Sequence, residues 1–155
     1  MNDTDSSAAA VRLAIDPHAA TVAVTELEIA APANAVWAVL TDFAGWPGWM
    51  PEISTARLDG PLAPGSIIAW TPYETQVESR IVLLDKERRL IWNGTDGAVH
   101  VWELSPTANG TLLHNSESIE SWQAADAGRD GSAVLTHALN TWNRRLAERA
   151  RRHVT

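Results

Sequence analysis

The sequence predicts an α+β domain in which a series of antiparallel strands is followed by one long C-terminal helix. One observation is an amphipathic helix after the first strand, where apolar residues repeat at i, i+3, i+4 and i+7. These residues are Val36, Val39, Leu40 and Phe43. A second observation is the run of glycine- and proline-bearing turns that divides the middle of the chain into short strands. The third is a proline-free, amphipathic stretch at residues 132–152.

The first strand is predicted at residues 21–29, where Leu27 and Ile29 alternate with two glutamates. Ala31-Pro32 begins the helix, because proline suits the first helical position. Glycine and proline at positions 45, 47, 48 and 51 end it and leave a short second helical segment at residues 44–49. Six further strands follow, at residues 53–58, 66–71, 76–84, 89–93, 99–104 and 111–121.

The C-terminal helix is expected to cover one face of the sheet. It begins near Ser132, whose side chain suits an N-terminal cap, after a polar connection at residues 124–131. Its apolar face carries Leu135, Ala138, Leu139, Trp142 and Leu146. An antiparallel sheet with one wet face needs cover on the other, and no other segment is long and amphipathic enough. A curved sheet around one helix leaves space between them, which predicts an internal apolar cavity.

Composition and charge narrow the class of protein. The 155 residues suit one domain, with a flexible N-terminal extension at residues 1–19 and the domain at residues 20–155. A net charge of −7 argues against nucleic acid or an anionic membrane as the partner. The absence of cysteine from the sequence excludes disulfides and thiolate catalysis. Acidic residues near the start and the lack of a long apolar run predict a cytoplasmic protein.

Tryptophan is unusually frequent, with eight residues against one phenylalanine and one tyrosine. Indoles are large and rigid, and each has one N–H donor. Several of them converging on a cavity would form a platform for flat ligands. For any single tryptophan, packing in the core is the safer explanation.

The hairpin near the end of the sheet contains the sharpest constellation of polar side chains. We assume that Leu104 pairs with Thr111 across a loop at residues 105–110. Antiparallel geometry then determines which side chains lie opposite each other on one face of the hairpin. The resulting pairs are Trp102–Leu113 and His100–Asn115, with Glu117 one pair further along. Because Trp102 and Leu113 are apolar, this face is expected to be the concave one. An imidazole, an amide and a carboxylate then group toward one end of an apolar floor.

This constellation suits enolisation and aldol-type ring closure of a substrate with several ketones. Burial raises the pKa of a carboxyl group such as Glu117 toward the range of a useful base. His100 is a candidate base or donor, and Asn115 is a candidate for orienting a carbonyl. Alternatively, these groups fix the sheet register or form a polar rim at the cavity mouth. No metal site is expected, because the pairing puts His100 and His114 on opposite faces.

The outer face of the same hairpin leaves a question open. His114 lies there beside Glu103, which indicates a solvated pair of little energetic weight. Val99 and Val101 share that face and need a cover, for which a partner subunit in a homodimer is one candidate.

A second polar group lies at residues 70–80. It consists of Tyr73, Glu74, Gln76, Glu78 and Arg80. Arg80 would suit a clamp on an acidic or carbonyl-bearing substrate. The turn at residues 85–88 permits two registers, and a slip of one residue reverses every side chain.

Short segments spread over residues 24–121 resemble the SRPBCC superfamily, also called START-like or helix-grip proteins, and within it the polyketide cyclase/dehydrase-like group. The matching segments are Ala31-Pro32 to Val36-Trp37, Asp42-Phe43 to Trp46-Pro47 and Trp49, Pro64-Gly65-Ser66, Arg89-Leu90-Ile91-Trp92, His100-Val101-Trp102-Glu103-Leu104 and Gly110-Thr111. The resemblance implies a curved antiparallel sheet wrapped around the C-terminal helix, with an apolar cavity for a hydrophobic small molecule.

The resemblance also implies positions for side chains. Ile81 and Trp92 should point inward, which sends Glu78 and Arg80 outward into solvent. Trp142 is expected to pack the terminal helix onto the sheet. The residues expected to contact substrate are Trp70, Trp92, Trp102, Leu113 and Ile119 in the cavity, Trp46 and Trp49 at the edge of a helical lid, and Tyr73 as a gate.

Three functions remain open on these grounds. The first is a cofactor-free enzyme of secondary metabolism that cyclises or dehydrates an aromatic or polyketide-like intermediate. The second is a non-catalytic binding or carrier protein for a hydrophobic small molecule. The third is a protein-interaction module like the Hsp90-activator relatives, for which exposed valines at positions 99 and 101 would supply a surface.

Overall fold

A computed structural model describes residues 10–122 and 130–153, and the predicted order of elements is confirmed there. The strands are β1 (Thr21–Ile29), β2 (Ile53–Asp59), β3 (Ile67–Pro72), β4 (Val77–Asp85), β5 (Arg89–Asn93), β6 (Val99–Thr107) and β7 (Gly110–Ile119). The helices are α1 (Ala33–Thr41) and α2 (Gly131–His153), and 3-10 helices lie at Phe43–Gly48 and Thr95–Gly97. The predicted bounds agree closely, except that β6 is longer than expected.

All seven strands join one antiparallel sheet in the order β1-β7-β6-β5-β4-β3-β2. Irregular registers between Ile53 and Ala56 in β2, and between Ile81 and Leu83 in β4, bend the strands. Helix α2 lies across β1 and against α1. The main core therefore lies between the curved sheet and the helices. The sequence analysis expects an internal apolar cavity in this region, and that cavity stays a prediction.

Strand β1 shows how strand phase sets the inward face. Thr21, Ala23, Thr25 and Ile29 are buried, whereas Val24 on the other phase is 66% exposed. The pairing of β1 with β7 continues without a shift along the whole strand. The inward row of β1 therefore brings hydroxyl groups into a largely apolar interior.

Helix α2 begins one residue earlier than predicted, and the expected cap at Ser132 is wrong. Asp130 is the cap, because its Oδ1 accepts a hydrogen bond from the Ser132 backbone N–H at 3.1 Å. Ser132 Oγ instead accepts a hydrogen bond from the backbone N–H of Val22 at 3.1 Å. This bond ties the start of α2 to β1.

Part of the outer face of the sheet is covered by the chain itself. Val99 and Val101 are buried there with Ile91 in a small apolar cluster, against which Ile15 packs. A partner subunit is therefore not needed to cover these valines, and they do not provide an exposed surface for a protein partner.

Residues 10–19 lie along this outer face. The Asn93 side chain bonds both backbone groups of Arg12, accepting from its N–H and donating to its carbonyl oxygen at 2.9 Å each. Ser118 Oγ accepts a hydrogen bond from the Asp16 N–H at 3.0 Å. The Arg12 guanidinium meets Glu120 at 2.7 Å. This part of the predicted loose extension is thus attached to the sheet at several points.

Three parts of the predicted layout fall outside the described residues. They are residues 1–9 of the extension, residues 124–129 of the connection before α2, and residues 154–155 at the end of the predicted domain. In the ranges that are described, neither helix is both long and apolar enough to cross a membrane.

Candidate functional site

The β6–β7 hairpin positions the candidate site, but with a different register from the predicted one. The expected pair Leu104–Thr111 is wrong, since Leu104 pairs with Leu113 and His100 pairs with Glu117. The register differs by two residues. Because side chains alternate with a period of two, every side chain keeps the face that the sequence predicts. His100 and Glu117 are closer together than expected.

Strand β6 extends beyond the predicted end because Pro106 fits within it. The pairing of β6 with β5 ends at Glu103, so a missing N–H at Pro106 breaks no hydrogen bond on that side. The turn is then reduced to residues 108–109, and Gly110 follows with a φ of 151°. A Cβ at Gly110 would overlap the carbonyl oxygen of Ile29, so glycine holds the turn against the end of β1.

Four buried side chains form a continuous line of hydrogen bonds from β6 to β1. His100 Nε2 lies 2.6 Å from Asn115 Oδ1, and Asn115 Nδ2 donates to Asn143 Oδ1 at 2.8 Å. Asn143 Nδ2 donates to Thr25 Oγ1 at 2.9 Å. Thr25 Oγ1 donates to the backbone carbonyl of Asn115 at 2.7 Å. Helix α2, which contributes Asn143, is thereby bonded to β7 through Asn115 and to β1 through Thr25, inside the core.

Both amide atoms of Asn115 are engaged in this line. Its Oδ1 faces His100 and its Nδ2 donates to Asn143. Each atom keeps a second site, because an amide nitrogen carries two N–H groups and an amide oxygen two lone pairs. The expected role of Asn115 in orienting a substrate carbonyl stays a prediction, and the observed bond also holds the His100 imidazole.

Glu117 stands at the other side of His100. Its Oε1 lies 3.5 Å from His100 Nδ1, a distance that would define an ion pair if both groups were charged. The His100 side chain is 1% exposed and that of Glu117 is 14% exposed. Nδ1 has no hydrogen-bond partner among the described residues. Glu117 is therefore the group of this pair that retains contact with the outside.

Burial makes both members of the pair uncharged at neutral pH. Desolvation lowers the pKa of His100 from 6.5 to about 3, although the hydrogen bond to Asn115 acts in the opposite direction. Desolvation raises the pKa of Glu117 from 4.5 to about 8. We therefore describe a neutral imidazole beside a protonated carboxyl group and not a salt bridge, despite the short distance.

Tryptophan side chains surround the imidazole. His100 stacks on Trp102, with ring centroids 4.8 Å apart and planes inclined by 11°. Trp92 lies at 4.8 Å and Trp142 at 5.7 Å from the His100 ring. Trp46 and Trp70 complete a cluster in which neighbouring indoles are in edge or tilted contact. The structure thus brings together four of the tryptophans expected to contact substrate and the packing residue Trp142.

The indole N–H groups in this cluster differ in their partners. Trp46 Nε1 donates to the Leu40 carbonyl and Trp70 Nε1 donates to Ser79 Oγ, both at 3.0 Å. The Nε1 atoms of Trp102 and Trp142 are buried without an acceptor among the described residues. Two buried donors without a partner are unusual in a protein core, because the hydrogen bonds they make with water in the unfolded chain are not replaced.

The remaining residues expected to contact substrate occupy different surroundings. Trp49 and Leu113 are buried in the main core. Ile119 lies in a smaller cluster with Ala23 and two leucines of α2. Tyr73 is 56% exposed in the turn after β3, with a positive φ of 50°. Its pKa is raised, first by partial burial and then by Glu52.

The facing of β4 agrees with the expectation from the resemblance. Ile81 pairs with Trp92 and both are buried. Glu78 and Arg80 are exposed on the outer face. The second polar group therefore does not supply a buried clamp.

Two residues of the site were missed by the sequence analysis, although each had a signal. Thr25 is in phase with Leu27 and Ile29, so strand alternation places its hydroxyl inward. Asn143 follows Leu139 by four residues, which places its amide on the apolar face of the helix. A polar residue within an apolar stripe indicates a buried hydrogen-bond partner.

Comparison with known protein families identifies the family of this chain. The family described as "Polyketide cyclase / dehydrase and lipid transport" matches residues 20–154. The chain belongs to this family. A comparison with curated proteins finds no match.

Solved structures of the family's fold resemble the chain over most of its length. The hypothetical protein jhp0584 from Helicobacter pylori superposes with a TM-score of 0.76 at 16% identity, covering 91% of this chain and 98% of that one. A START superfamily protein from Mycobacterium smegmatis gives 0.68 at 13% identity, with 84% and 97% covered. The di-domain ARO/CYC BexL from the BE-7585A biosynthetic pathway gives 0.65 at 20% identity and 85% coverage, and the chain spans 49% of BexL. At these identities the likeness establishes the fold alone.

Proposed function

We propose that the chain is a polyketide cyclase/dehydrase-like enzyme of natural-product metabolism. It promotes cyclisation or dehydration of a hydrophobic, carbonyl-rich intermediate without a cofactor. The observation that supports this most strongly is the buried, uncharged pair of His100 and Glu117 beside tryptophans. Family membership supports the kind of reaction, and the fold neighbour BexL, a di-domain ARO/CYC from a biosynthetic pathway, is consistent with it.

Glu117 is the proton carrier in this proposal. A carboxyl group whose pKa lies near 8 is a stronger base when ionised than an ordinary carboxylate, and it is mostly protonated at pH 7. It takes the proton from a carbon between two carbonyl groups, and the resulting enolate attacks a second carbonyl carbon. Glu117 then returns the proton to the alkoxide that ring closure forms. In a dehydration, the same proton goes to the hydroxyl group that leaves as water.

His100 assists Glu117 and does not act as a second base. Its pKa near 3 makes the neutral imidazole a poor proton acceptor at neutral pH. Its Nδ1 faces the carboxyl group, and the hydrogen bond to Asn115 holds the ring in place. The unpartnered N–H groups of Trp102 and Trp142 are suited to hold carbonyl oxygens of the substrate.

A binding or carrier role for a hydrophobic small molecule is the second candidate. The tryptophan cluster favours it, because aromatic walls with two unpartnered donors would bind an aromatic ligand without any reaction. In that case the proton on Glu117 would serve only to keep the interior uncharged.

Turnover by a Glu117→Gln variant separates the two functions. Gln keeps the size and the neutral state of the carboxyl group but cannot carry a proton. Cells that lack the gene would be profiled for an accumulating intermediate, which would then be isolated and supplied to purified protein. We expect Glu117→Gln to convert it at least about 100-fold more slowly than wild type, the usual scale of a lost acid–base group, while binding measured by tryptophan fluorescence is retained.

Glu103→Gln is the matched control, because Glu103 lies on β6 opposite His114 on the outer face of the same hairpin. It should convert the intermediate at the wild-type rate. Equal conversion by Glu117→Gln and wild type would contradict the catalytic proposal. Binding without conversion by either protein would favour the carrier.

A further inference from the structure

In the line of hydrogen bonds from Thr25 to His100, only one assignment of donors and acceptors is possible. Thr25 has a single hydroxyl proton, and the Asn115 carbonyl oxygen 2.7 Å away can only accept. The Thr25 proton therefore lies in that bond. Thr25 Oγ1 must then accept from Asn143, so the Asn143 Nδ2 group points toward Thr25.

The same reasoning continues along the line to the imidazole. With its Nδ2 on Thr25, Asn143 presents Oδ1 to Asn115, which must donate through its own Nδ2. Asn115 Oδ1 is then left to face His100 Nε2 at 2.6 Å, and an oxygen there requires an N–H. A neutral imidazole has one N–H only, so Nδ1 bears a lone pair.

We propose that Thr25 and Asn143 are positioning residues that fix the Nε2–H tautomer of His100 and so present a lone pair, not an N–H, to the Glu117 carboxyl group. A lone pair at 3.5 Å from Glu117 Oε1 repels a carboxylate and accepts a hydrogen bond from a carboxylic acid. The line thus favours the protonated form of Glu117. The importance of this for turnover rests on the proposed function, but the tautomer itself does not.

Other titratable groups near the pair do not account for this preference. The inward side chains next to it are Trp92 on β5, Ala23 and Thr25 on β1, and Trp142 and Asn143 on α2. None of these titrates. Among the described residues, burial and the Asn115 hydrogen bond are the causes that act on His100, and burial acts on Glu117.

A Thr25→Val variant tests the proposal because it removes the hydroxyl and keeps the shape. Without Thr25 Oγ1, both asparagine amides are free to turn over, and His100 Nε2 would then accept from Asn115. Nδ1 would bear the proton and donate to the Glu117 carboxylate.

We expect ¹⁵N NMR of labelled histidine to show the Nε2–H tautomer alone in wild type and an Nδ1–H population in Thr25→Val. The midpoint of the Glu117 titration, followed by ¹³C NMR, should fall to lower pH in the variant.

Two further variants separate this effect from simple destabilisation. Thr111→Val removes a similar buried hydroxyl, which donates to the Ala31 carbonyl at 2.7 Å but does not touch the line to His100. It should leave the tautomer and the Glu117 midpoint unchanged. Thr25→Ser keeps the hydroxyl and should restore both.

The outcomes against the proposal are specific. An Nδ1–H tautomer in wild type would overturn it without any variant, even if Thr25→Val did not fold. An unchanged tautomer and midpoint in folded Thr25→Val would also overturn it. The tautomer and the Glu117 midpoint are measured without substrate. Normal conversion by Glu117→Gln would contradict the proposed function but would not affect either of these measurements.

Discussion

Glu117 and His100 are unusual among the residues of the interior because both titrate and neither has a charged partner in the described parts of the chain. Each is kept neutral by burial, and the carboxyl group and the imidazole shift in opposite directions. Shifts of this kind couple the free energy of unfolding to pH. The pair therefore has a consequence that is measurable without any ligand.

The pH dependence of stability follows from the direction of each shift. Between pH 4.5 and about 8, the native state holds a proton on Glu117 that the unfolded state releases, so the free energy of unfolding falls as pH rises. Between about pH 3 and 6.5, the unfolded state holds a proton that native His100 lacks, so the free energy rises with pH. The two slopes oppose each other up to 6.5, and above it the Glu117 slope acts alone. We expect the wild type to lose about 1–2 kcal/mol between pH 6.5 and 8.

Urea denaturation of Glu117→Gln at the two pH values checks this expectation. Gln cannot ionise, so its free energy of unfolding should lack most of this loss. Glu103→Gln, on the outer face, should lose stability as wild type does. A loss of the same size in Glu117→Gln would mean that another group causes it.

At the scale of single residues, the sequence predicts on which face of the sheet a side chain lies better than it predicts which other side chains it contacts. His100, Asn115 and Glu117 were placed on the concave face because strand alternation requires it. Their partners depend on Thr25 and Asn143, which are far away along the chain. Periodicity places such residues inward but does not say which of them meet.

At the scale of elements, the N-terminal segment is the feature that the sequence did not indicate. Val99 and Val101 suggested a missing cover, and Ile15 supplies it. Residues 10–19 form neither a helix nor a strand in the structure, although six of the ten are alanine, valine, leucine or isoleucine. The segment binds through backbone bonds to Asn93 and Ser118, which no local pattern reveals.

An Ile15→Ser variant tests the contribution of this segment. Ile15 is partly buried over Ile91, Val99 and Val101, so its loss should lower the free energy of unfolding by about 1 kcal/mol, about half the value of a fully buried side chain. Leu13→Ser is the control, because Leu13 is 50% exposed. Urea denaturation of both variants is the measurement, and equal losses would show that the segment does not seal the sheet through Ile15.

The hairpin register was missed for a different physical reason. The loop predicted at residues 105–110 includes Pro106, a residue type that removes a ladder bond inside a strand. The structure places it beyond the last pair with β5, where the strand has only one neighbour to satisfy. Whether a proline is tolerated depends on the neighbouring strand, and that information lies outside the segment itself.

At the scale of the whole molecule, element order and facing could be predicted because one curved sheet needs one long helix to cover it. The tryptophans could be assigned to the interior but not arranged. In the structure, Trp142 of α2 contacts Trp46, Trp70, Trp92 and Trp102, so the helix is joined to the sheet through indoles. His100 lies within this cluster. The His100–Glu117 pair is uncharged at neutral pH because the packing of the helix on the sheet buries it.

The measurement that tests this account most directly is the titration of the Glu117 carboxyl carbon by ¹³C NMR, assigned by comparison with Glu117→Gln. The account predicts a midpoint of about 8, so that the group is protonated at neutral pH within the aromatic interior. A midpoint near the ordinary 4.5 would contradict it, because the carboxyl group would then be ionised at neutral pH and could not be the neutral partner of His100.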